Sequence, residues 1–271
     1  LLDTILPFEF LSYSFMKNAF LAILLISPIF AILGTMIVNN KMAFFSDALG
    51  HSALTGIAIG TIFGIANNNI SMILFAIVFA VALNMVKQKT TYGADTIISV
   101  FSSIAIAVGL AILANTGSFN KYLVGDVLSI TWEEIIVLAI AAVIIIVFWY
   151  YSFYKLNCVS LNPALAKSKG INVKVLDNLF VIIIAIVVML SIRWIGILLI
   201  NSLLILPAAS SRNITRNMRS YHLFAVLFSL ASGIVGLILS YYYNIPTGPM
   251  IVILSGAIYF VTFLLKDRVK E

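Results

Sequence analysis

Asp47 and His51 stand four residues apart within the stretch Ser46 to Gly60, which is otherwise fit for the hydrocarbon core of a bilayer. On a helix, that spacing stacks the two side chains on one face, about one turn or roughly 6 Å of rise apart. The carboxylate offers oxygen and the imidazole nitrogen, which together make half of a site for a divalent cation. Each ionisable group inside a spanning segment costs on the order of 3 kcal/mol on insertion scales, so such groups mark substrate paths, proton relays or ion sites. The same pair could also do no more than satisfy itself and fix helix packing; the two residues alone leave both readings open. Other chemistry has no motif here. There is neither a Gly-x-x-x-x-Gly-Lys-Ser/Thr loop for nucleotide phosphates nor a His-Glu-x-x-His zinc-protease helix.

The helix that holds this pair belongs to a polytopic, all-α membrane protein. Of 271 residues, 62% are apolar and 10% charged, against about a quarter charged in an average soluble domain, and mean hydropathy is +1.14. The net charge of +6 would suit nucleic acid if it lay on one surface, but the basic residues fall in short clusters between apolar runs. That distribution is topological, so lipid and not nucleic acid is the expected surrounding. The single cysteine, Cys158, can form no intrachain disulfide and supplies no thiolate cluster. Leu1 to Met16 carries Asp3 and Glu9 without a basic lead, so no cleavable signal peptide is expected and the helices themselves direct insertion into a bacterial-type inner membrane.

Taken in order, Leu1 to Phe15 reads as an interfacial lead-in. Apolar segments follow at Met16 to Val38, Met42 to Ile65, Ile70 to Val86, Thr96 to Ala114, Ile135 to Tyr151, Leu179 to Ile192, Ile195 to Ala209, Leu223 to Tyr242 and Met250 to Leu265. The second carries the Asp47/His51 pair and the small residues Gly50, Gly56, Gly60 and Gly64, which let a neighbouring backbone come close. Asn115 to Thr131 is a longer connection containing Asp126, and a re-entrant piece there requires protein or water around it. With the amino terminus outside and nine crossings, Lys41, Lys87, Lys89, Lys155, Lys167, Lys169, Lys174, Arg212, Arg216, Arg219, Lys266, Arg268 and Lys270 lie inside, thirteen of the sixteen Lys and Arg residues. Eight spans result if the short segment Ile195 to Ala209 folds back on its predecessor, but that puts basic residues on the wrong face.

Between the fifth and sixth spans, Lys155 to Lys174 is polar, and Leu161 to Val173 has the make-up of a short amphipathic helix. Leu161, Leu165 and Ala166 share one side, Lys167 and Lys169 face water, and Gly170 is its stop. Composition alone does not separate this helix from a solvated loop. His222, after a basic loop of residues 212–219, falls at a membrane edge with no metal role expected.

These stretches also carry a resemblance. The sequence from Asp47 to Gly60 resembles the signature helix of the metal-ion family of ABC-transporter permeases, the membrane subunits of manganese, zinc and iron importers. Tyr122 to Leu128 is similar to that family's central Leu-Phe-Gly-Asp segment, and Ala166-x-x-x-Gly170 falls where it places its ATPase-docking coupling helix. Leu203 to Ala209 resembles its Leu-Ile-Ile-Pro-Ala-Ala stretch, and Ile245 to Pro249 the turn before its last helix, which vitamin-B12 and siderophore permeases share in looser form. Thr55 and Gly50 depart from it, standing where many members have Pro and Ser.

The resemblance covers residues 14 to 265 and implies a single permease domain of about eight to nine membrane helices, in the vitamin-B12/siderophore type of importer fold. It implies two permease chains in a homodimeric pore and two copies of a cytoplasmic ABC ATPase, which dock at 161–175 through Asn162, Ala166 and Gly170. It also implies an extracytoplasmic metal-binding protein on the outer loops. The chain is then no enzyme and holds no resident cofactor; Asp47 and His51 are ligands to a passing Mn²⁺, Zn²⁺ or Fe²⁺, a mixed O/N set without the soft donors Cu⁺ favours. Asp126 is a lesser candidate at the outer pore mouth, and Asp95 reads as interfacial. Rival readings are a permease for a metal chelate (siderophore, haem or cobalamin), an ion-coupled secondary transporter, for which no internal repeat is evident, and a structural membrane-assembly protein.

Overall fold

The computed structural model describes residues 13–65, 67–113 and 127–270. Among them are ten α-helices and no strand: α1 (Ser14–Asn39), α2 (Phe45–Ile62), α3 (Asn68–Lys89), α4 (Ala94–Leu113), α5 (Trp132–Leu161), α6 (Pro163–Ser168), α7 (Val173–Ile195), α8 (Ile197–Ile214), α9 (Met218–Tyr243) and α10 (Thr247–Lys270), with a 3₁₀ turn at Val127–Ser129. Seven of them, α1, α3, α4, α5, α7, α9 and α10, are long and apolar enough to cross a membrane. The shorter α2 and α8, of 18 residues each, bring the helices of at least that length to nine.

Local chemistry sets the helix limits. Asn67, Asn162, Asn172 and Asn217 cap α3, α6, α7 and α9 by accepting backbone N–H bonds with their side chains. Thr131 and Glu134 form a reciprocal capping box at the head of α5, with the Thr131 N–H donating to Glu134 Oε2 at 2.9 Å and the Glu134 N–H to the Thr131 hydroxyl at 3.4 Å. The helices overrun the apolar segments where charge had suggested a stop. α5 continues to Leu161, because Leu156 and Val159 remain buried and nothing breaks the backbone until Asn162-Pro163. α7 begins at Val173, ahead of Leu179, since the Asn172 cap can start it among charged residues. α8 runs past Pro207 to Ile214, leaving only Thr215 to Asn217 of the basic loop outside a helix.

The described residues group into two compact units. One holds α1 as far as Thr35, the 3₁₀ turn, α5 as far as Ile146 and the chain from Ser202 onward. Its helices meet at small residues: a Cβ on Gly34 would fall 1.7 Å from the Leu204 carbonyl oxygen, so the α1 and α8 backbones touch, and Gly236 of α9 lies against Ile251 of α10. Gly34→Val is therefore expected to force α1 and α8 apart at a cost of about 1–3 kcal/mol, read as a lower unfolding temperature and yield of the solubilised protein; an unchanged melt would contradict this contact.

The other unit holds Met36 through α4 together with Val147–Asn201. Here α2 is the central element, packed on α3, α4 and α7. Gly56 meets the α3 backbone, where a Cβ would lie 3.0 Å from Met72 Cα, as the small-residue series predicts. Asn84 of α3 donates to Asn178 of α7 at 2.7 Å, tying two helices that flank α2.

Candidate metal half-site and coupling helix

α2 has no side-chain cap at Phe44, and Asp47 sits in its first turn, where the helix dipole favours a carboxylate. Twelve of the eighteen residues of α2 are buried against its neighbours, yet Asp47 and His51 lie on a side left partly open, 37% and 29% exposed in the single chain. His51 Nε2 stands 3.7 Å from Asp47 Oδ2. That is too long for a hydrogen bond and slightly wider than the roughly 3.3 Å that two first-row-metal ligands subtend in tetrahedral geometry at about 2.0–2.1 Å from the ion. A side-chain adjustment of a few tenths of an ångström would let one cation bridge them. Along the axis the pair occupies the first two turns, roughly 3–10 Å from the start of a helix about 27 Å long, and so lies toward the end preceded by Lys41. Among the described residues no third His, Cys, Asp or Glu joins them.

The rest of α2 is a rigid mount. Thr55 donates its hydroxyl to the Ala105 carbonyl of α4, and Ser71 of α3 donates to the Gly56 carbonyl. Ser52 turns its hydroxyl back to the Leu49 carbonyl at 2.7 Å. The donors are thus held on a helix anchored on both flanks.

The segment after α5 does form a separate short helix, but six residues long instead of thirteen. Asn162 accepts the Ala164 and Leu165 N–H groups at 3.0 and 3.1 Å, Ala166 is wholly buried, and Gly170 takes φ +75°, the left-handed turn that ends the helix. Leu161 belongs to the end of α5, and both it and Leu165 are exposed, so the apolar side predicted for this segment divides: Ala166 inward, the two leucines outward. Asp126 and most of Tyr122 to Leu128 lie outside the described residues.

His222, in the second turn of α9, is buried, its Nδ1 2.7 Å from the Thr35 hydroxyl, while Tyr221 donates to the Thr35 carbonyl and Ser211 to the Tyr221 carbonyl. This knot joins α1, α8 and α9 within one unit. Sequence reading missed a second charged feature altogether. Lys87 at the end of α3 and Asp177 near the start of α7 attract one another across a cavity, and Lys87 also reaches Met42 Sδ at 2.9 Å. The only hint in the sequence is an acid placed two residues ahead of the apolar segment that begins at Leu179.

Comparison with known proteins agrees with this architecture. The ABC 3 transport family matches residues 12–266. The chain is 33% identical, over 92% of its length and 97% of the relative's, to the high-affinity zinc uptake system membrane protein ZnuB of Haemophilus influenzae. It is 27% identical, over 95% and 93%, to the manganese transport system membrane protein MntC of Listeria monocytogenes. Its fold matches PsaBC from Streptococcus pneumoniae, solved in complex with a Fab, with a TM-score of 0.82 at 23% identity, covering 95% of this chain and 94% of that one. An all-helical, multi-pass chain with this much of its length matched is a transport subunit and not the ATPase; it belongs to the ABC 3 transport family as a membrane permease.

Proposed function

We propose that this permease carries a bare divalent transition-metal ion, Zn²⁺, Mn²⁺ or Fe²⁺, inward through a pore formed with a second copy of itself. The observation that carries the reading is the half-open Asp47/His51 pair: an oxygen and a nitrogen donor, near enough to share one ion, on a side of α2 left partly exposed. The zinc and manganese uptake systems named for its relatives support the same class of cargo. Two donors per chain, doubled across a two-fold axis, make a four-ligand O₂N₂ site that suits these ions. Each half alone binds weakly, so separating the two chains releases the ion.

Energy comes from two copies of a cytoplasmic ABC ATPase seated on α6, with Asn162 and Gly170 fixing the ends of that helix and Ala166 rooting it. An extracytoplasmic binding protein delivers the metal at the outer face. Closure of the ATPases draws the two α6 helices together and reverses which side of the pore is open, a rigid-body step. Membership of an ABC family weighs against ion-coupled secondary transport.

The test is ATPase stimulation in the reconstituted complex. Zinc or manganese delivered by the binding protein is expected to raise hydrolysis, and siderophore, haem or cobalamin to leave it at the basal level. Stimulation by a chelate and not by the metal would overturn the reading.

A further inference from the structure

Lys41, Lys87, Lys167 and Lys174 converge from four separate elements on one cavity of about 480 Å³, opposed by a single carboxylate, Asp177. Positive charge on this side of a membrane protein follows the general rule of topology, but that rule scatters lysines over loops and does not gather them around a hollow. Three positive charges remain after Asp177 is set against one of them. Their natural complement is an anion.

Lys41 marks the site further. The end of α1 closes with the Met42 N–H on the Ile37 carbonyl at 3.0 Å and the Lys41 N–H on the Val38 carbonyl at 3.2 Å, leaving Lys41 at φ +54°. That bond pattern favours glycine at the left-handed position. The same motif ends α6, beside the same cavity, and there the residue is Gly170. A lysine accepts the conformational cost at the end of α1, and it lines the cavity.

The position of the cavity selects the anion. Lys87 lies in the last turn of α3 and Lys174 in the first turn of α7, two packed helices that are each long and apolar enough to span, so the cavity opens at the level of the headgroups. Next to those lysines on the same helices, Met85, Val175 and Leu179 are exposed and offer acyl chains a surface. On α6, Pro163 and Lys167 line the cavity, whereas Leu165, two residues on from Pro163, projects from the opposite side, so a protein seated on Leu165 leaves the cavity free.

We propose that this cavity binds the phosphodiester headgroup of an anionic phospholipid from the leaflet on the basic side, with Lys41 and Lys174 as its principal cations.

The probe is phosphatidylglycerol. The full chain is reconstituted into phosphatidylcholine nanodiscs doped with phosphatidylglycerol, and retained lipid is counted by native mass spectrometry. Wild type is expected to retain phosphatidylglycerol over phosphatidylcholine. At about fivefold per lysine, Lys41→Gln with Lys174→Gln is expected to weaken retention about 25-fold, and Lys89→Gln, outside the cavity, to leave it unchanged. Lys41→Gly separates binding from folding: it relieves the left-handed backbone, so thermal stability stays level or rises while retention falls about fivefold. Equal retention of both lipids, full retention by the double variant, or displacement of phosphatidylglycerol by millimolar inorganic phosphate would each overturn the proposal, the last assigning the cavity to a soluble phosphate.

Discussion

Asp47→Ala and His51→Ala, singly, are expected to reduce accumulation of radiolabelled zinc and manganese to background in cells expressing the full transporter, with the protein still inserted and folded. Disturbing even the outer partners of metal ligands costs about 10- to 100-fold in affinity or activity, so loss of a direct ligand sets that range as a floor. The same geometry limits collateral damage. Both side chains are partly exposed, and at 3.7 Å they do not hydrogen-bond each other, so an alanine at either position strands no buried polar group. A pair this exposed contributes about 0–1 kcal/mol to stability, too little to unfold the chain. Thr61→Ala, at an exposed position on the same helix whose hydroxyl bonds only within its own turn, is the matched control and is expected to transport normally. If both ligand variants accumulate metal like wild type, Asp47 and His51 only set packing and the ion follows another route.

Much of this arrangement is written in the sequence, and what is missing has physical causes. The pair on α2 is legible because a carboxylate and an imidazole stand out against an apolar background, and the glycines beside it announce a close approach that Gly56 makes with α3. The boundaries of α5 and α7 are not, because hydropathy reports where a helix leaves the bilayer and not where its backbone bonding stops. Lys155, Lys174 and Asp177 all lie inside helices that run on into water or headgroups. The make-up of α6 was visible in its Gly170 stop, but its orientation was not, since which of Leu161, Leu165 and Ala166 turns inward depends on the neighbours it meets. The burial of His222 was not legible, because nothing in the sequence signals that Thr35, nearly two hundred residues earlier, meets its ring. The lysine-lined cavity draws its lysines from four elements of which only α6 and α7 are neighbours in the chain, so no linear pattern announces it.

The second large effect concerns α6, and the structure separates the variants that break the helix from one that removes its contact surface. Gly170→Pro combined with Ala166→Glu is expected to abolish co-purification of the ATPase, but by destroying the helix. Proline holds φ near −65° where the backbone needs +75°, and removes the Gly170 N–H bond to the Lys167 carbonyl at 3.0 Å. Glutamate at Ala166 buries an unpaired carboxylate in a site with no exposure. Leu165→Asp acts differently. Its side chain is 49% exposed and turned away from the cavity beneath the helix, so the change leaves the cap, the buried alanine and the glycine stop intact. An exposed leucine on this short helix is the kind of apolar anchor that a partner's groove would cover. A charge in place of one at the centre of such a contact is expected to cost about 2 kcal/mol, roughly 30-fold in affinity. Detergent-purified Leu165→Asp should therefore elute as a folded permease stripped of ATPase and retain phosphatidylglycerol as wild type does. Full co-purification of the ATPase with Leu165→Asp would remove α6 as the seat of coupling, while loss of both ATPase and lipid would show that the substitution had unsettled the helix itself.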